Sequence, residues 1–178
     1  MLAQFLKSYP TVGLEVQCEL SDKLLEGFER GQFDIALFKR TAKTKTYGTR
    51  IWHESLIWVA SDKEIAHRNG SIPLILSPFP CVYRAKITDT LEARGLKWHG
   101  VLTSHSMTGR IAAARAGLGV TAIPREMLSP GLYVLDEGDS LPPLDNIEIA
   151  MLRDEENTSE AVRILAEHIL LNLESCVA

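Results

Sequence analysis

Cysteine is scarce: Cys18, Cys81 and Cys176 are odd in number and widely separated across 178 residues. No Cys-x-x-Cys knuckle and no paired framework can be built from them, which points to a reducing compartment. The histidines, His53, His67, His99, His105 and His168, never fall at His-x-His, His-x-x-x-His or His-Glu-x-x-His spacing, so no metal site is expected. Each reads as an ordinary surface residue, with His105 set apart only by its place between Ser104 and Ser106. No Gly-x-Ser-x-Gly elbow and no Gly-x-x-x-x-Gly-Lys-Ser/Thr loop occurs, and no pair of carboxylates stands out as general acid and base. Enzymatic activity and a bound cofactor are therefore not expected. A basic excess is also missing, since the net charge is -4, and a chain acidic overall is a poor candidate for holding nucleic acid by itself, although it leaves room for a local basic patch. No apolar run approaches the roughly 18 residues of a membrane span. The opening MLAQFLKSYP has Lys7 within its apolar pattern and no small-residue cleavage site, so it is no secretory signal. The expected setting is a soluble, cytoplasmic protein with no membrane partner.

What is present is an ordinary globular composition, 46% hydrophobic and 24% charged, with enough length for one domain or two small lobes. Leu2, Phe5, Leu6 and Tyr9 recur at helical spacing up to Pro10. Val12 to Leu20 alternates loosely and predicts a strand. Ser21 is placed to cap a helix with Leu24, Leu25 and Phe28 inside, and Gly31 is placed to end it. Phe33 to Phe38, nearly all apolar, predicts a strand buried on both faces, as in a parallel sheet. The polar run from Lys39 to Arg50 reads as a connection. Lys43 and Lys45 are expected to be solvated, whereas Lys39 and Arg40 follow a strand end, where ligands of open α/β sheets bind.

Further strands are predicted at Ile51-Trp52, Leu56 to Ala60, Ile72 to Leu76, Trp98 to Thr103, Val120 to Ile123, Leu132 to Leu135 and Ile147 to Leu152. Asp62 to Gly70 is charged and mobile in character. Helices are predicted from Val82 to Arg94, from Met107 with Ile111, Ala114 and Leu118 inside, and behind Asn157 with Val162, Leu165, Ile169 and Leu173 inside. Asn157 with Glu160 resembles a capping box. The alternation of strands and helices indicates an α/β fold.

Gly117-Leu118-Gly119-Val120-Thr121-Ala122 matches the letters of a dinucleotide-binding turn but not its context. That turn follows a strand and opens a helix, so that the helix N-terminus faces the pyrophosphate. Here the glycines follow a helix and precede a strand. Gly117 reads as a helix C-cap and Gly119 as a close-packing position. Ser104 and Ser106 stand ahead of a helix, where unpaired N–H groups favour an anion. Simple N-capping uses the same donors, and the two roles are compatible. Ser77, at another strand end, has similar standing, and Pro78 and Pro80 stiffen its loop.

Three stretches together resemble the effector-binding domain of LysR-type transcriptional regulators. They are the leucine-rich opening that ends in Tyr9-Pro10, the helix closing on Gly31-Gln32-Phe33-Asp34, and Ala114 to Pro124, ARAGLGVTAIP. The resemblance covers essentially the whole chain. It implies a type II periplasmic-binding-protein-like fold, two α/β lobes joined by two crossover strands with a cleft between them. The lobes would be 1–55 plus 146–178, and 62–141, with crossovers at 56–61 and 142–145. It further implies a small-molecule, possibly anionic effector held by Lys39, Ser77, Pro78, Ser104, Ser106 and Pro124. Assembly as a homodimer or tetramer is implied, with DNA contacted only through an N-terminal winged helix-turn-helix domain that this sequence does not include. The family's first lobe also begins with a strand ahead of the first helix, so unpaired strand edges are expected in that lobe. A solute-binding protein of the same fold, or an enzyme such as a dehydratase or deaminase on it, are the alternatives.

Overall fold

A computed structural model describes residues 1–41, 46–136, 138, 141–154 and 158–174. Lys43, Lys45, the Asn157 cap and Cys176 lie outside the described residues, as does the side chain of His67. The chain divides into two compact units, the first Met1–His53 with Glu148–Ala178, the second Glu54–Ile147. The segment 56–61 and the segment 142–145 both fall within the second unit.

In the first unit, α1 (Leu2–Ser8) buries only Phe5, whose ring meets those of Tyr9 and His168 at 4.9 and 5.5 Å. Val12 to Leu20, expected as a strand, is irregular, and Val16 is largely exposed. Alternation is only a local pattern, and a strand persists when a neighbour pairs its N–H and C=O groups; none does so among the described residues. Helix α2 (Ser21–Glu29) is not capped by Ser21. The Ser21 hydroxyl instead accepts the Lys39 N–H at 3.0 Å. The helix ends as expected: Gly31 takes φ 70°, its N–H reaches the Phe28 carbonyl, and the Gln32 N–H reaches that of Gly27.

Strand β1 (Ile35–Lys39) also departs from expectation. It runs antiparallel to β8 (Ile147–Arg153) in a three-stranded sheet of order β1-β8-β2, with β2 spanning Thr49–Glu54. Ala36 and Phe38 are buried but Leu37 is 37% exposed, so one face is covered and the other is not. A run of apolar letters does not distinguish this from a doubly covered strand. Among the described residues no second strand pairs β1, which leaves it an edge. Helix α5 (Glu160–Glu174) buries Ala166 and Ile169, with Val162, Leu165 and Leu173 half-buried.

The second unit has the larger core. Strand β3 (Leu56–Ala60) is buried throughout and pairs antiparallel with β6 (Thr121–Pro124) on one side and β7 (Tyr133–Leu135) on the other. Trp58, central in it, donates its indole N–H to the Pro142 carbonyl at 2.8 Å, so the ring is buried at no cost in unpaired polar groups. The stretch expected to be mobile, Lys63–Gly70, is a 3₁₀ helix; the Asp62 carboxylate caps it, and Ile65 and Ala66 enter the core. Strands β4 (Ile72–Leu76) and β5 (Trp98–Thr103) form a parallel pair, joined by α3 (Val82–Ala93), which buries Tyr83, Ile87 and Leu91.

Helix α4 (Met107–Arg115) buries Ala114 and Arg110, with Met107 and Ile111 packed half-buried against Ile57, Val59 and Ile123. Leu118, expected on its inner face, is 46% exposed. The helix has stopped by then, because Gly117 at φ 82° turns the chain off the helical path. Gly119 is a close-packing position: a Cβ there would lie 2.5 Å from the Pro73 carbonyl oxygen.

Candidate functional site

Because β4 and β5 are parallel, both release the chain at the same edge of their sheet. That is where open α/β sheets present loops to ligands. The Ser104 N–H donates to the Leu76 carbonyl at 2.9 Å and ties the two exits together. The first exit runs Ser77-Pro78-Phe79-Pro80 into Cys81, the N-cap of α3; the second runs Ser104-His105-Ser106 into α4. Two helix N-termini thus arise at one edge, each a source of partial positive charge. The parallel bridge between Leu74 and Val120 gives β6 the direction of β4, so Pro124 ends its strand at this edge too.

The polar groups here are not equivalent. Ser106 is a working N-cap whose hydroxyl oxygen accepts the Gly109 N–H at 3.0 Å, and the Ser104 hydroxyl oxygen accepts the Ser106 N–H at 3.2 Å. Both keep a hydroxyl proton to donate. His105 is exposed. Ser77 is 94% buried by its 6% exposure, yet its hydroxyl has no hydrogen-bond partner. Pro78 is half-buried beside it. The Arg84 guanidinium donates to the Ser77 carbonyl at 2.9 Å and stacks 4.1 Å above the exposed Phe79 ring, while its Nε is buried and unpartnered.

Arg110 is the most unusual group. It is 4% exposed on the first turns of α4, and its Nε has no partner. Its Nη2 reaches the Met107 sulfur, a weak acceptor, at 3.3 Å, and the guanidinium also hydrogen-bonds the Cys81 sulfur, another weak acceptor. Desolvation lowers its pKa, opposed by Cys81, which it contacts, and by Tyr83. The Tyr83 phenol donates to the Glu54 carboxylate. Burial, and next that bond, push the phenol well above its ordinary range. Glu54 is thereby engaged with Tyr83, and no ion pair joins it to Arg110.

Of the residues expected to form a site, Ser77, Pro78, Ser104, Ser106 and Pro124 share this edge. Lys39 belongs to the other unit, at the end of β1, half-buried and with its N–H on Ser21. Arg40, expected as an anion ligand, has a structural task instead. Its guanidinium binds the Tyr47 and Gly48 carbonyls and the Glu148 carboxylate, the last at 3.3 Å, and this holds the Glu148 carboxyl below its ordinary range. Arg110, Arg84, Tyr83, Glu54 and Cys81 were missed. For Arg110 a signal existed: Met107, Arg110 and Ala114 are spaced three and four, which places a cation on an apolar stripe. Among the described residues no group of three or more His, Cys, Asp or Glu is placed to hold a metal ion, and no helix is long and apolar enough to cross a membrane.

A family model described as the LysR substrate binding domain matches residues 1–173. The HTH-type transcriptional regulator DgdR of Burkholderia cepacia is 26% identical over 170 residues, which are 95% of this chain and 57% of that protein. The HTH-type transcriptional regulator PecT of Dickeya dadantii (strain 3937) is 24% identical over 165 residues, 90% of this chain and 50% of that protein. The chain thus spans about half the length of these curated relatives. Among solved structures, the bromide-bound regulatory domain of HypT from Salmonella typhimurium superposes with a TM-score of 0.76 at 18% identity, covering 99% of this chain and 89% of that one, which is a shared fold.

Proposed function

The chain belongs to the LysR substrate binding domain family, and from that premise we propose that its second unit binds a small-molecule effector at the common edge of β4, β5 and β6. It is an effector-binding regulatory domain with a type II periplasmic-binding-protein-like α/β fold. In the proposed site Ser77, Ser104 and Ser106 donate hydroxyl hydrogen bonds, while Pro78 and Pro124 form rigid, apolar parts of the rim. Lys39, at a strand end of the first unit, is a candidate effector contact of that unit. The observation that carries this reading is the bond from the Ser104 N–H to the Leu76 carbonyl, which brings two strand exits and two helix N-termini to one edge. The HypT regulatory domain, of the same fold, is described with a bromide ion bound, which supports a ligand-receiving role for such a domain.

The relatives are HTH-type regulators, which supports a parent protein that reads DNA through a separate domain, as a cytoplasmic homodimer or tetramer. Effector binding would change how copies pack and so how the DNA-reading domains are presented. The domain is proposed to sense and not to catalyse: the Glu54 carboxylate is occupied by Tyr83, and the relatives are transcriptional regulators.

Isothermal calorimetry of the folded chain against a library of small acids, amines and neutral polar compounds is the test. Binding by one chemical series, weakened by Ser77→Ala without loss of fold, is the expected result. Silence across the library from a folded, intact chain would sink the sensing role.

A further inference from the structure

A guanidinium taken out of water with no carboxylate beside it is costly, several kcal/mol even after relaxation. Native interiors seldom leave such a group alone. Arg110 is in this position. It is 4% exposed, and among the described residues it has no ion-pair partner. Among the described residues, the donors along one edge of its fork are an Nε with no acceptor and an Nη2 on the Met107 thioether, and its other hydrogen-bond partner is a second weak sulfur acceptor, Cys81. That edge presents two parallel N–H groups, the geometry that matches the two oxygens of a carboxylate. The guanidinium reaches across from α4 to Cys81 at the N-cap of α3. That helix has twelve residues, and its N-terminus carries no side-chain cap, unlike α4, which Ser106 already caps. Ser77, which leads into the same loop, has a second buried donor without an acceptor.

We propose that these groups form a site for a single negative charge, and that the effector is a monoanion, a carboxylate or an equally charged oxyanion, with Arg110 as its charged partner. The inference rests on the sensing role proposed above and names the chemistry of its ligand. Arg110 holds two of the anion's oxygens side-on, and the Ser77 hydroxyl and the α3 N-terminus face the same loop. The donor geometry favours one unit over two. Arg84 carries the neighbouring guanidinium, but it bonds the Ser77 carbonyl and stacks on the Phe79 ring, which leaves a single N–H, its Nε, without a partner. Arg110 offers the side-on pair of donors here, so a dianion would hold its second charge on one N–H at most. Cys81, half-buried, is in contact with Arg110.

The test is thermal denaturation of the whole chain at constant ionic strength with acetate, benzoate, nitrate, phosphate and the neutral isostere benzamide. The site predicts that at least one of acetate, benzoate and nitrate raises Tm in a saturable way, on the order of 5 °C at a hundred times its Kd. Carboxylates acting alone identify a carboxylate effector; nitrate acting equally identifies a general monoanion site. Benzamide must be silent, and phosphate must act less than the best monoanion. Arg110→Gln is expected to weaken the response by roughly 30-fold or more, and Arg110→Lys to recover only part of it, since the charge returns without the fork. Arg110→Met without ligand is expected to melt at or above the parent's Tm, because it removes an uncompensated buried charge. Three results would overturn the proposal: benzamide matching benzoate, a monoanion response unchanged in Arg110→Gln, or no monoanion response at all, as when an ordered water satisfies Nε. Benzamide binding while benzoate is silent would leave sensing intact and remove only the charge assignment.

Discussion

Gly119→Ala examines the packing that positions the candidate site. A Cβ at residue 119 would sit 2.5 Å from the Pro73 carbonyl oxygen and 3.0 Å from Val101 Cγ2. Relaxed carbon–oxygen contacts are about 3.3 Å or longer, so some 0.8 Å must be found. The close neighbour is backbone and cannot swing away. The same carbonyl accepts the Val120 N–H at 2.7 Å, and the Ile75 N–H returns to the Val120 carbonyl at 2.8 Å. Separating the strands strains both bonds. Overpacking costs about 1–3 kcal/mol, and each weakened hydrogen bond roughly 0.5–1 kcal/mol. The smaller unfolded-state entropy of alanine returns at most about 1 kcal/mol. The expected net loss is about 2–4 kcal/mol, a fall in Tm on the order of 5–15 °C for a chain of this size. The control is Gly100→Ala on β5, where nothing lies within 4 Å, and its expected change is within about 0.5 kcal/mol. Urea unfolding should be followed by the fluorescence of Trp58 and Trp98, both in the second unit, with Trp52 of the first replaced by Phe. A lower midpoint at unchanged slope is the expected signature. Gly119→Ala as stable as the parent, or Gly100→Ala equally costly, would show that the approach of β4 to Val120 does not set this geometry.

Three further outcomes follow from named contacts. Ser106→Ala removes the N-cap of α4 and should cost about 1 kcal/mol, with Ser106→Gly milder, both read from the urea midpoint; an unchanged midpoint in both would mean that Ser106 is not capping. The Glu148 carboxyl is held below its ordinary 4.5 by Arg40, so the stability it contributes is complete above that value and is lost as pH falls through its lower folded-state value. Glu148→Gln should flatten that part of the acid profile, and an identical acid limb in the variant would remove Glu148 as its cause. The Tyr83 phenol is held above its ordinary 10.0, so the stability it contributes is complete below pH 10 and declines as pH rises beyond it. Tyr83→Phe should lessen the alkaline decline, measured by circular dichroism between pH 9 and 12; a steeper decline in the variant would contradict this assignment.

Local chemistry made much of the chain legible. Gly31 and Gly117 adopt the positive φ that a helix exit requires, as expected from their position after apolar helical stripes. Strands β4 and β5 were visible as short apolar runs each followed by a helix, though not their parallel pairing, and the position of Ser77, Ser104 and Ser106 at strand ends follows from the same alternation. Misreadings arose where the deciding partner is remote in sequence. Val12 to Leu20 alternates like a strand but finds no neighbour to pair its backbone among the described residues. Leu37 is apolar yet exposed, because β1 is an edge strand covered on one face. Arg40 looked available for a ligand, but Glu148, 108 positions later in the sequence, holds it.

Sequence by itself determined most of the element types, the rejection of the Gly117–Gly119 nucleotide motif and the strand-end serines, because those depend on residues within a turn or two of one another. Tertiary structure alone decided which of the polar groups were already satisfied. Ser106 is engaged by its own helix, while Ser77 and Arg110 are buried with donors unspent. Burial and partnership are properties of the packed chain: the cost of a lone guanidinium exists only once the strands and helices around it have excluded water.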